Sequence, residues 1–489
     1  MDDITLGGDE QTLARDVNLT KVQGEAMGLH LNVTKCEFIS NTPNPSDAIF
    51  QNFICLQPKN ASLLGAPLST WCSMDDILSS RCDKLALAIE RLKLLTAHDA
   101  LILLRSSLSA PRVMHTLRSS PCVGHPCLDR FDNLLREGLC KIANSSLSDI
   151  QWIQASLPVR EGGLGIRRVA SLASSAFLAS AASTLDLQEH ILIRCTTIPD
   201  QNFAAFCTQW SFIHNQPCPS LPSAGKQQRW DKPYLTADVE AIRAIAPDKH
   251  HCARLLAVAA PHAGDWLHAL PISNCGLRLD DEAIRVAVGL RLGVNLCQPH
   301  PCPCGTTVDS RGTHGLSCKL SSGRMARHHY INDLIWRALH RATIPATKEP
   351  AGLSRTDGKR PDGLTLIPWQ SGKNLIWDVT VADTLAASHL ATTSKLMGGA
   401  AHAASEKKDA KYSSLAINYI FVPIACETLG PIGSKALAFL GELGRRITAV
   451  SGDPRESSFL FQRISVAIQR FNCVCFRGSF VTPPADPDE

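Results

Sequence analysis

Four closely spaced cysteine and histidine residues constrain the fold of this chain more than any other feature of its sequence. The spacing is C-x-C-x9-H-x3-C, and the four residues are Cys302, Cys304, His314 and Cys318. Thiolate and imidazole groups in a set of four are the ligands of tetrahedral Zn²⁺ in structural sites. The pattern therefore predicts a closed structural zinc site. The alternative is four unrelated residues in a cysteine-rich chain. Cys297 and His300 lie beside the cluster and could replace a ligand, but we expect neither to bind.

The remaining cysteines are expected to be free thiols. The chain contains 19 cysteines, and its N-terminal residues, MDDITLGGDE, are too acidic and polar for a signal peptide. Residues 169–185 form the longest uncharged stretch, which is too short and too rich in Ser and Ala to span a bilayer. We therefore expect an intracellular protein with no membrane contact and reduced thiols.

Length and composition predict several globular domains. A chain of 489 residues fits two to four domains, and 44% hydrophobic with 19% charged residues is a globular composition. The formal net charge of +4 permits local basic patches but does not by itself indicate nucleic-acid binding.

Hydrophobic periodicity places the elements of the N-terminal part. Strand and turn signals fill residues 1–70, with a hairpin predicted within 28–39. Helices are predicted for 75–150, 162–187 and 236–296. Residues 196–235, which contain five prolines, are predicted to be a loop-rich connection. The GGLG of residues 162–165 is not followed by the GK[ST] of a phosphate loop, so it predicts a plain turn.

The pattern changes after the Cys/His cluster, where helices alternate with strands. Helices are predicted for 324–341, 400–412, 434–446 and 458–471. Strands are predicted for 364–369, 374–381 and 416–422. The first two strands are joined by a Gln-Ser-Gly-Lys turn, and Pro368 marks the end of the first strand or an edge.

Two aspartates on this predicted strand pair are candidate metal ligands. Asp378 and Thr380 face away from Trp377 and Val379 in the second strand, and Asp362 begins the first. A carboxylate within an apolar strand is costly unless it is paired or binds a metal. Two such groups form an oxygen-ligand site for Mg²⁺ or Mn²⁺. The alternatives are a turn aspartate for Asp362 and a salt bridge for Asp378.

A lysine-rich helix follows the strand pair. Lys408 and Tyr412 are i, i+4 neighbours on one helix face, and Lys407 and Lys411 are another such pair. A lysine that faces the carboxylates could position water or neutralise a phosphate. The alternative is a solvated charge cluster on a surface helix.

Several motifs together resemble the restriction-like endonuclease region of non-LTR retrotransposon polyproteins. These are the Cys/His cluster, the RHH of Arg327, His328 and His329, RPDG at 360–363, WDVTV at 377–381 and KKDAKY at 407–412. The resemblance implies a zinc knuckle before a PD-(D/E)xK-type nuclease with an α/β core. Thr380 occupies the position where such motifs usually have lysine, and a helix supplies the lysine instead.

Residue roles follow from that resemblance as expectations. The metal ligands would be Asp362 and Asp378, and Lys408 or Lys411, with Tyr412 beside them, would complete the catalytic group. Arg327 and His328 would contact the substrate backbone. The knuckle would orient DNA or nascent RNA.

The N-terminal part resembles reverse transcriptases of the same polyproteins. Asp2 and Asp3, in MDDITLGGD, resemble the end of a YxDD motif without its Tyr. Residues 28–38 resemble the following palm segment, 63–68 the primer grip, and 75–185 the thumb. The resemblance is weak between 185 and 297. An earlier palm aspartate and the fingers are missing from the sequence, so we expect a truncated polyprotein without polymerase activity.

The expected fold is α+β and multidomain, with a helical, thumb-like N-terminal half and a C-terminal α/β domain with a mixed sheet. The expected divisions are 1–70 palm remnant, 71–187 thumb, 188–296 connecting region, 297–320 knuckle, 321–475 nuclease and 476–489 disordered tail. The expected function is nicking of a DNA target for target-primed reverse transcription, with element RNA as a second partner and a nuclear location. The alternatives are a non-catalytic nucleic-acid-binding fragment and a decayed relic.

Overall fold

The chain is of the α+β class, as predicted, with many helices and small sheets. The computed structural model describes residues 4–42, 45–68, 72–191, 201–220, 223–245, 248–353 and 360–481. Asp2, Asp3 and residues 482–489 of the expected tail therefore lie outside the described residues. The two compact units are Met1–Lys84 with Arg112–Phe131 and Val169–Asp231, and Leu85–Pro111 with Asp132–Arg168 and Lys232–Glu489.

Helices account for most of the described residues. The α-helices are α1 (Glu10–Ala26), α2 (Cys72–Leu92), α3 (Ala97–Leu103), α4 (Met114–Ser119), α5 (Pro126–Ile142), α6 (Asp149–Ser156), α7 (Val169–Ile191), α8 (Gln201–His214), α9 (Gln227–Ala244), α10 (Lys249–Val258), α11 (Asp281–Leu292), α12 (Ser322–Arg341), α13 (Ala387–Thr393), α14 (Gly399–Lys411), α15 (Ser434–Ser451) and α16 (Glu456–Arg477).

The strands are short except for two. They are β1 (Glu37–Ile39), β2 (Ile54–Leu56), β3 (Ser62–Leu63), β4 (Ala66–Pro67), β5 (His300–Pro301), β6 (Thr307–Val308), β7 (Ala346–Lys348), β8 (Gly363–Thr365), β9 (Leu375–Ala382) and β10 (Ile420–Glu427). The largest sheet has the order β10-β9-β8-β7, and β1–β2, β3–β4 and β5–β6 form separate two-stranded sheets.

The hairpin predicted within residues 28–39 is wrong. β1 pairs with β2 in parallel, so its partner comes from beyond a crossover rather than from an adjacent turn. The residues before β1 form a short 3-10 helix at Val33–Lys35 instead of a strand. Alternating hydrophobicity therefore located one strand but could not identify its partner.

The loop-rich connection predicted for residues 196–235 is also wrong for most of its described part, which contains α8 and the beginning of α9. The indole Nε1–H of Trp210 donates to the carbonyl of Trp230 (3.1 Å), and the two rings pack edge to face. Phe206 packs against Phe177 in the same way. Burial of Trp210 and Trp230 stabilises helices that the many prolines of this region made hard to predict from the sequence. One of these prolines, Pro233, lies inside α9.

The GGLG segment encloses arginine rather than phosphate. Arg291 is buried, and its guanidinium donates to the carbonyls of Gly163 (3.0 Å) and Val159 (2.8 Å). A side chain at Gly163 would place its Cβ only 2.1 Å from the carbonyl oxygen of Leu157, so glycine is required there. Because carbonyl oxygens face the cation, this turn has the opposite polarity to a phosphate loop. Burial lowers the pKa of Arg291 to about 9.

The four-stranded sheet organises the C-terminal part of the second unit. β9 and β10 are parallel, whereas β8 pairs antiparallel with both β9 and β7. Leu375, Trp377 and Val379 of β9 face a core that also contains residues of α12, α15 and α16. Asp378 faces the other side, where α14 packs on β9 and β10. The sheet thus lies between two layers of helices.

Most helix predictions after residue 320 agree with α12, α14, α15 and α16, but two strand predictions need correction. β8 ends at Thr365 because Leu366 to Pro368 leave the ladder before the turn. β10 begins at Ile420 rather than 416, since residues Leu415–Ile417 form a 3-10 helix. β7 and α13 were not predicted from the sequence.

Substitution of Gly363 tests how tightly this sheet packs. A Cβ at Gly363 would lie 2.0 Å from Cζ2 of Trp377, so Gly363→Ala should lower the free energy of unfolding by about 1–3 kcal/mol. Gly441→Ala is the control, because a Cβ there meets open space in α15 and should stabilise the helix by about 0.5–1 kcal/mol. Denaturant titration followed by circular dichroism measures both. Equal effects would contradict the packing described.

Candidate functional site

The four predicted zinc ligands come together in the structure. Their ligand atoms all lie within 4.8 Å of one another. The Sγ atoms of Cys302 and Cys318 are 3.7 Å apart, and Sγ of Cys304 is 3.2 Å from Nε2 of His314. Two thiolates bound to one tetrahedral zinc at about 2.3 Å each would stand about 3.8 Å apart. The donors and their spacing fit, so the cluster could bind a metal ion such as zinc.

The hairpin of β5 and β6 positions Cys302 and Cys304. β5 and β6 form a tight hairpin in which the N–H of Cys302 donates to the carbonyl of Thr306 (2.9 Å). Hydrogen bonds from Thr306 lower the pKa of the Cys304 thiol to about 6, which favours the thiolate that a metal requires. Cys297 and His300 have other partners, the carbonyl of Asp309 (3.4 Å) and Oγ of Ser479 (3.2 Å).

The segment that carries the Cys/His cluster packs tightly on α16. A Cβ at Gly312 would lie 2.3 Å from the ring of Phe476, and one at Gly315 would lie 2.6 Å from the carbonyl oxygen of Cys475. The backbone of the cluster therefore lies directly against the last turns of α16. This contact links the metal cluster to the helix layer of the sheet.

Asp362 is held at the start of β8. Its backbone N–H donates to the carbonyl of Trp377 (2.9 Å), and its Oδ2 accepts from the N–H of Val379 (2.6 Å). Its Oδ1 lies 3.3 Å from Nε2 of His328. Backbone and side-chain contacts thus fix this carboxylate beside β9.

Asp378 meets the two lysines that the sequence singled out. Only 3% of the residue is exposed, and its Oδ1 accepts a hydrogen bond from Nζ of Lys408. Nζ of Lys411 lies 3.7 Å from Oδ2. The expectation left open which lysine faces the carboxylates, and both do, with Lys408 in direct contact. A salt bridge alone would also explain this arrangement, so its chemistry needs a functional test.

Tyr412 connects the lysine helix to the segment that precedes β8. The ring is fully buried, and its hydroxyl donates to the carbonyl of Arg360 (2.9 Å). Nζ of Lys411 donates to the same hydroxyl (2.7 Å). Tyr412 therefore holds α14 against the segment that carries Asp362.

The structure corrects the expectation that Arg327 contacts a substrate backbone. Arg327 is 2% exposed, and its guanidinium donates to Oδ1 of Asn472 in α16 (2.8 Å). Burial lowers its pKa. The role of Arg327 is to join α12 to α16 inside the helix layer.

His328, expected to contact the substrate backbone, lies beside Asp362. It contacts Asp362, and this hydrogen bond raises the pKa of His328 above its ordinary value. Its side chain is 27% exposed, so it stands at the edge of the site rather than on an open surface. The structure brings it to the carboxylates, where it supports Asp362.

Two positioning residues were not predicted from the sequence. Asn332 lies one turn after His328 on α12, accepts from Nε1 of Trp377 (2.8 Å) and donates to the carbonyl of Asp362 (3.4 Å). The i, i+4 spacing of His328 and Asn332 was the available signal. The second is Glu427, at the end of β10.

Glu427 holds the beginning of the lysine helix. Its Oε1 accepts from the backbone N–H groups of Ala400 (2.9 Å) and Ala401 (3.0 Å), at the positive end of the α14 dipole. Burial raises the pKa of Glu427. No local sequence pattern links a strand carboxylate to a backbone N–H 27 positions earlier.

No protein-family description matches this chain, and no curated protein matches it either. Among the described residues, no helix combines the length and apolar character needed to cross a bilayer.

Removal of the cluster metal should affect stability. Cys304→Ser removes one of four ligands, so bound zinc measured by mass spectrometry should fall from about one per chain to well below that. The melting temperature should fall by at least about 4 °C, because the cluster packs on α16. Cys55→Ser, which changes an exposed cysteine elsewhere, is the control. Unchanged zinc content in Cys304→Ser would show that the cluster is not a metal site.

Proposed function

We propose that this chain is a metal-dependent DNA endonuclease that nicks its target for target-primed reverse transcription. Its parent would be a non-LTR retrotransposon polyprotein, as the motifs of both halves suggest. Under this proposal the sheet with α12, α14, α15 and α16 forms a restriction-endonuclease-like domain. The Cys/His cluster is its zinc knuckle, and the N-terminal helices correspond to a thumb.

The convergence of Asp362, Asp378 and Lys408 is the observation that supports this function best. Asp362 directly precedes β8, Asp378 lies in β9 and Lys408 lies in α14, and each is held by additional contacts. A chance surface ion pair needs no such support from the surrounding structure. Proteins that act on phosphodiesters require an oxygen-ligand site next to a cation, and this arrangement supplies both.

The two carboxylates would hold Mg²⁺ or Mn²⁺. Mg²⁺ is commonly bound by one or two protein carboxylates together with water, which agrees with a two-aspartate site. When bound, the metal would activate water and stabilise charge on the phosphodiester. Lys408 partly neutralises the charge of Asp378. The same ammonium group could orient water or neutralise the phosphate of the substrate.

DNA is the proposed substrate and element RNA the proposed second partner. The lysines of α14 place positive charge beside the carboxylates, as required for a polyanionic substrate. The packing of the cluster on α16 supports a structural role for zinc in positioning this helix layer. A nuclear location follows from the proposed activity.

Replacement of either aspartate tests the proposed activity. Asp378→Asn and Asp362→Asn should each slow Mg²⁺-dependent nicking of supercoiled plasmid by about 10²-fold or more, because each removes a charge that holds the metal. Asp409→Asn is the matched control, since Asp409 pairs with Lys435 away from the site. If both variants nick as fast as the wild type, the site is not catalytic. Salt-dependent DNA binding without nicking by the wild type would favour the non-catalytic alternative.

The three lysines of α14 form a graded series. Lys408→Met should reduce the nicking rate most, by about 10²-fold, because Lys408 contacts Asp378 directly. Lys411→Met should have a smaller effect, and Lys407→Met, which changes an exposed side chain, should have little. Rates are measured at saturating Mg²⁺ with DNA affinity determined separately. A series in which Lys407→Met is the slowest variant would contradict the assignment.

A further inference from the structure

The ends of β9 and β10 carry two buried carboxyl groups. Asp383 directly follows β9, and Glu427 is the last residue of β10. The ladder pairs Ala382 with Glu427, so the two groups leave neighbouring strands at the same end of the sheet. Glu427 is completely buried and Asp383 is 8% exposed. Solvent therefore contributes little to stabilising a charge on either group.

The hydrogen bonding of the two carboxyl groups is uneven. Oδ1 of Asp383 accepts from the hydroxyl of Thr428 (2.8 Å) and from the N–H of Leu385 (3.3 Å). Oε1 of Glu427 accepts from two N–H groups of α14. Its Oε2 is buried and has no hydrogen-bond partner among the described residues, with the Asp383 carboxyl and the Thr384 hydroxyl as polar neighbours. A negative charge at this oxygen is costly, whereas a carboxylic acid places its O–H there.

The surroundings balance only one of the two possible negative charges. Arg327 faces the pair from α12 and is itself 2% exposed. The other titratable groups that act on Arg327 are Arg324 of the same helix and the thiols of Cys426 and Cys475. Arg324 is exposed and donates to backbone carbonyls, and thiols add no positive charge. A buried carboxylate without a counter-charge binds a proton instead. One proton on the pair brings the sum of the buried charges to zero.

We propose that Asp383 and Glu427 share one proton, and that this singly protonated pair positions the lysine helix α14. With the proton on Oε2, Glu427 still accepts from α14 through Oε1, while the donors to Asp383 favour negative charge there. Two interacting carboxyl groups titrate as a pair, so the proton belongs to both. Burial raises the pKa of each group. The inference goes beyond the proposed nuclease function, because it concerns a proton held by the fold.

The helix α14 connects this proton to the candidate site. Glu427 holds Ala400 at the beginning of the helix, and Lys408 lies eight residues later, about 12 Å along the helix axis. Lys408 in turn contacts Asp378. Loss of the proton leaves two like charges at adjacent strand ends, and their repulsion should loosen Glu427 from the N–H groups of α14. Asp383 is therefore a positioning residue that acts through Glu427.

The pH dependence of stability tests the shared proton. Because the carboxyl pKa values are raised in the folded protein, the stabilisation is present at low pH and is lost as pH rises through the folded value. Between about pH 5 and about pH 9, the unfolding equilibrium constant of the wild type should rise tenfold or more relative to that of Glu427→Gln, which keeps the Oε1 acceptor but does not titrate. Denaturant titrations of the full chain measure both. Glu406→Gln, in an exposed part of α14, is the matched control and should follow the wild type. Parallel curves for the wild type and Glu427→Gln would overturn the proposal.

Infrared difference spectra at neutral pH detect the proton itself. The wild type and Glu406→Gln should show the C=O stretching band of a protonated carboxylic acid. Asp383→Asn and Glu427→Gln should each lack it, because Arg327 balances the single carboxylate that remains. Absence of the band from the wild type would overturn the proposal, and a band lost only in Glu427→Gln would assign the proton to Glu427 alone and overturn the sharing.

Hydrogen exchange measures the positioning role without relying on cleavage. At high pH the first amides of α14 should exchange at least about tenfold faster in the wild type than in Glu427→Gln at the same pH, and equal rates would overturn the role. In nicking assays the wild-type rate should decline at high pH, whereas that of Glu427→Gln should not. A wild type that does not nick at any pH would refute the nuclease proposal, and the exchange and infrared results would still decide this one.

Discussion

The parallel pairing of β9 with β10 is the constraint on which the candidate site depends. Parallel strands require a crossover, and here α13 and α14 form it. The crossover returns α14 across the face of the sheet that carries Asp378, while the opposite face packs on α12, α15 and α16. The lysines reach Asp378 because the crossover places α14 on this face of the sheet, and Glu427 holds the beginning of that helix.

The same sheet explains how the other groups are positioned. Asp362, directly before β8, accepts a hydrogen bond from the N–H of Val379. His328 of α12 contacts the same carboxylate. Arg327 and Asn472 join α12 to α16, on which the Cys/His cluster is seated. The cluster, the helix layer and the carboxylates are therefore connected, and we expect a substitution in the Cys/His cluster to affect the helix layer.

Part of this arrangement was predictable from the sequence. Local patterns located α12, α14 and β9, the four cluster ligands and the two aspartates, because ligand spacing and periodicity are local properties. The buried role of Arg327, the parallel partner of β1 and the anchoring by Glu427 were not predictable, since each depends on contacts between distant segments. Residues 201–214 were predicted to be a loop because prolines surround them, whereas burial of Trp210 stabilises a helix.

The proposed function requires that Asp362 and Asp378 bind a divalent cation. Anomalous diffraction from crystals soaked in Mn²⁺ locates such an ion directly. We expect a peak at about 2.2 Å from carboxylate oxygens of both residues, with Lys408 displaced from its direct contact with Asp378. A map without a peak at these carboxylates, in which Lys408 still donates to Asp378, would show that the pair is a structural salt bridge.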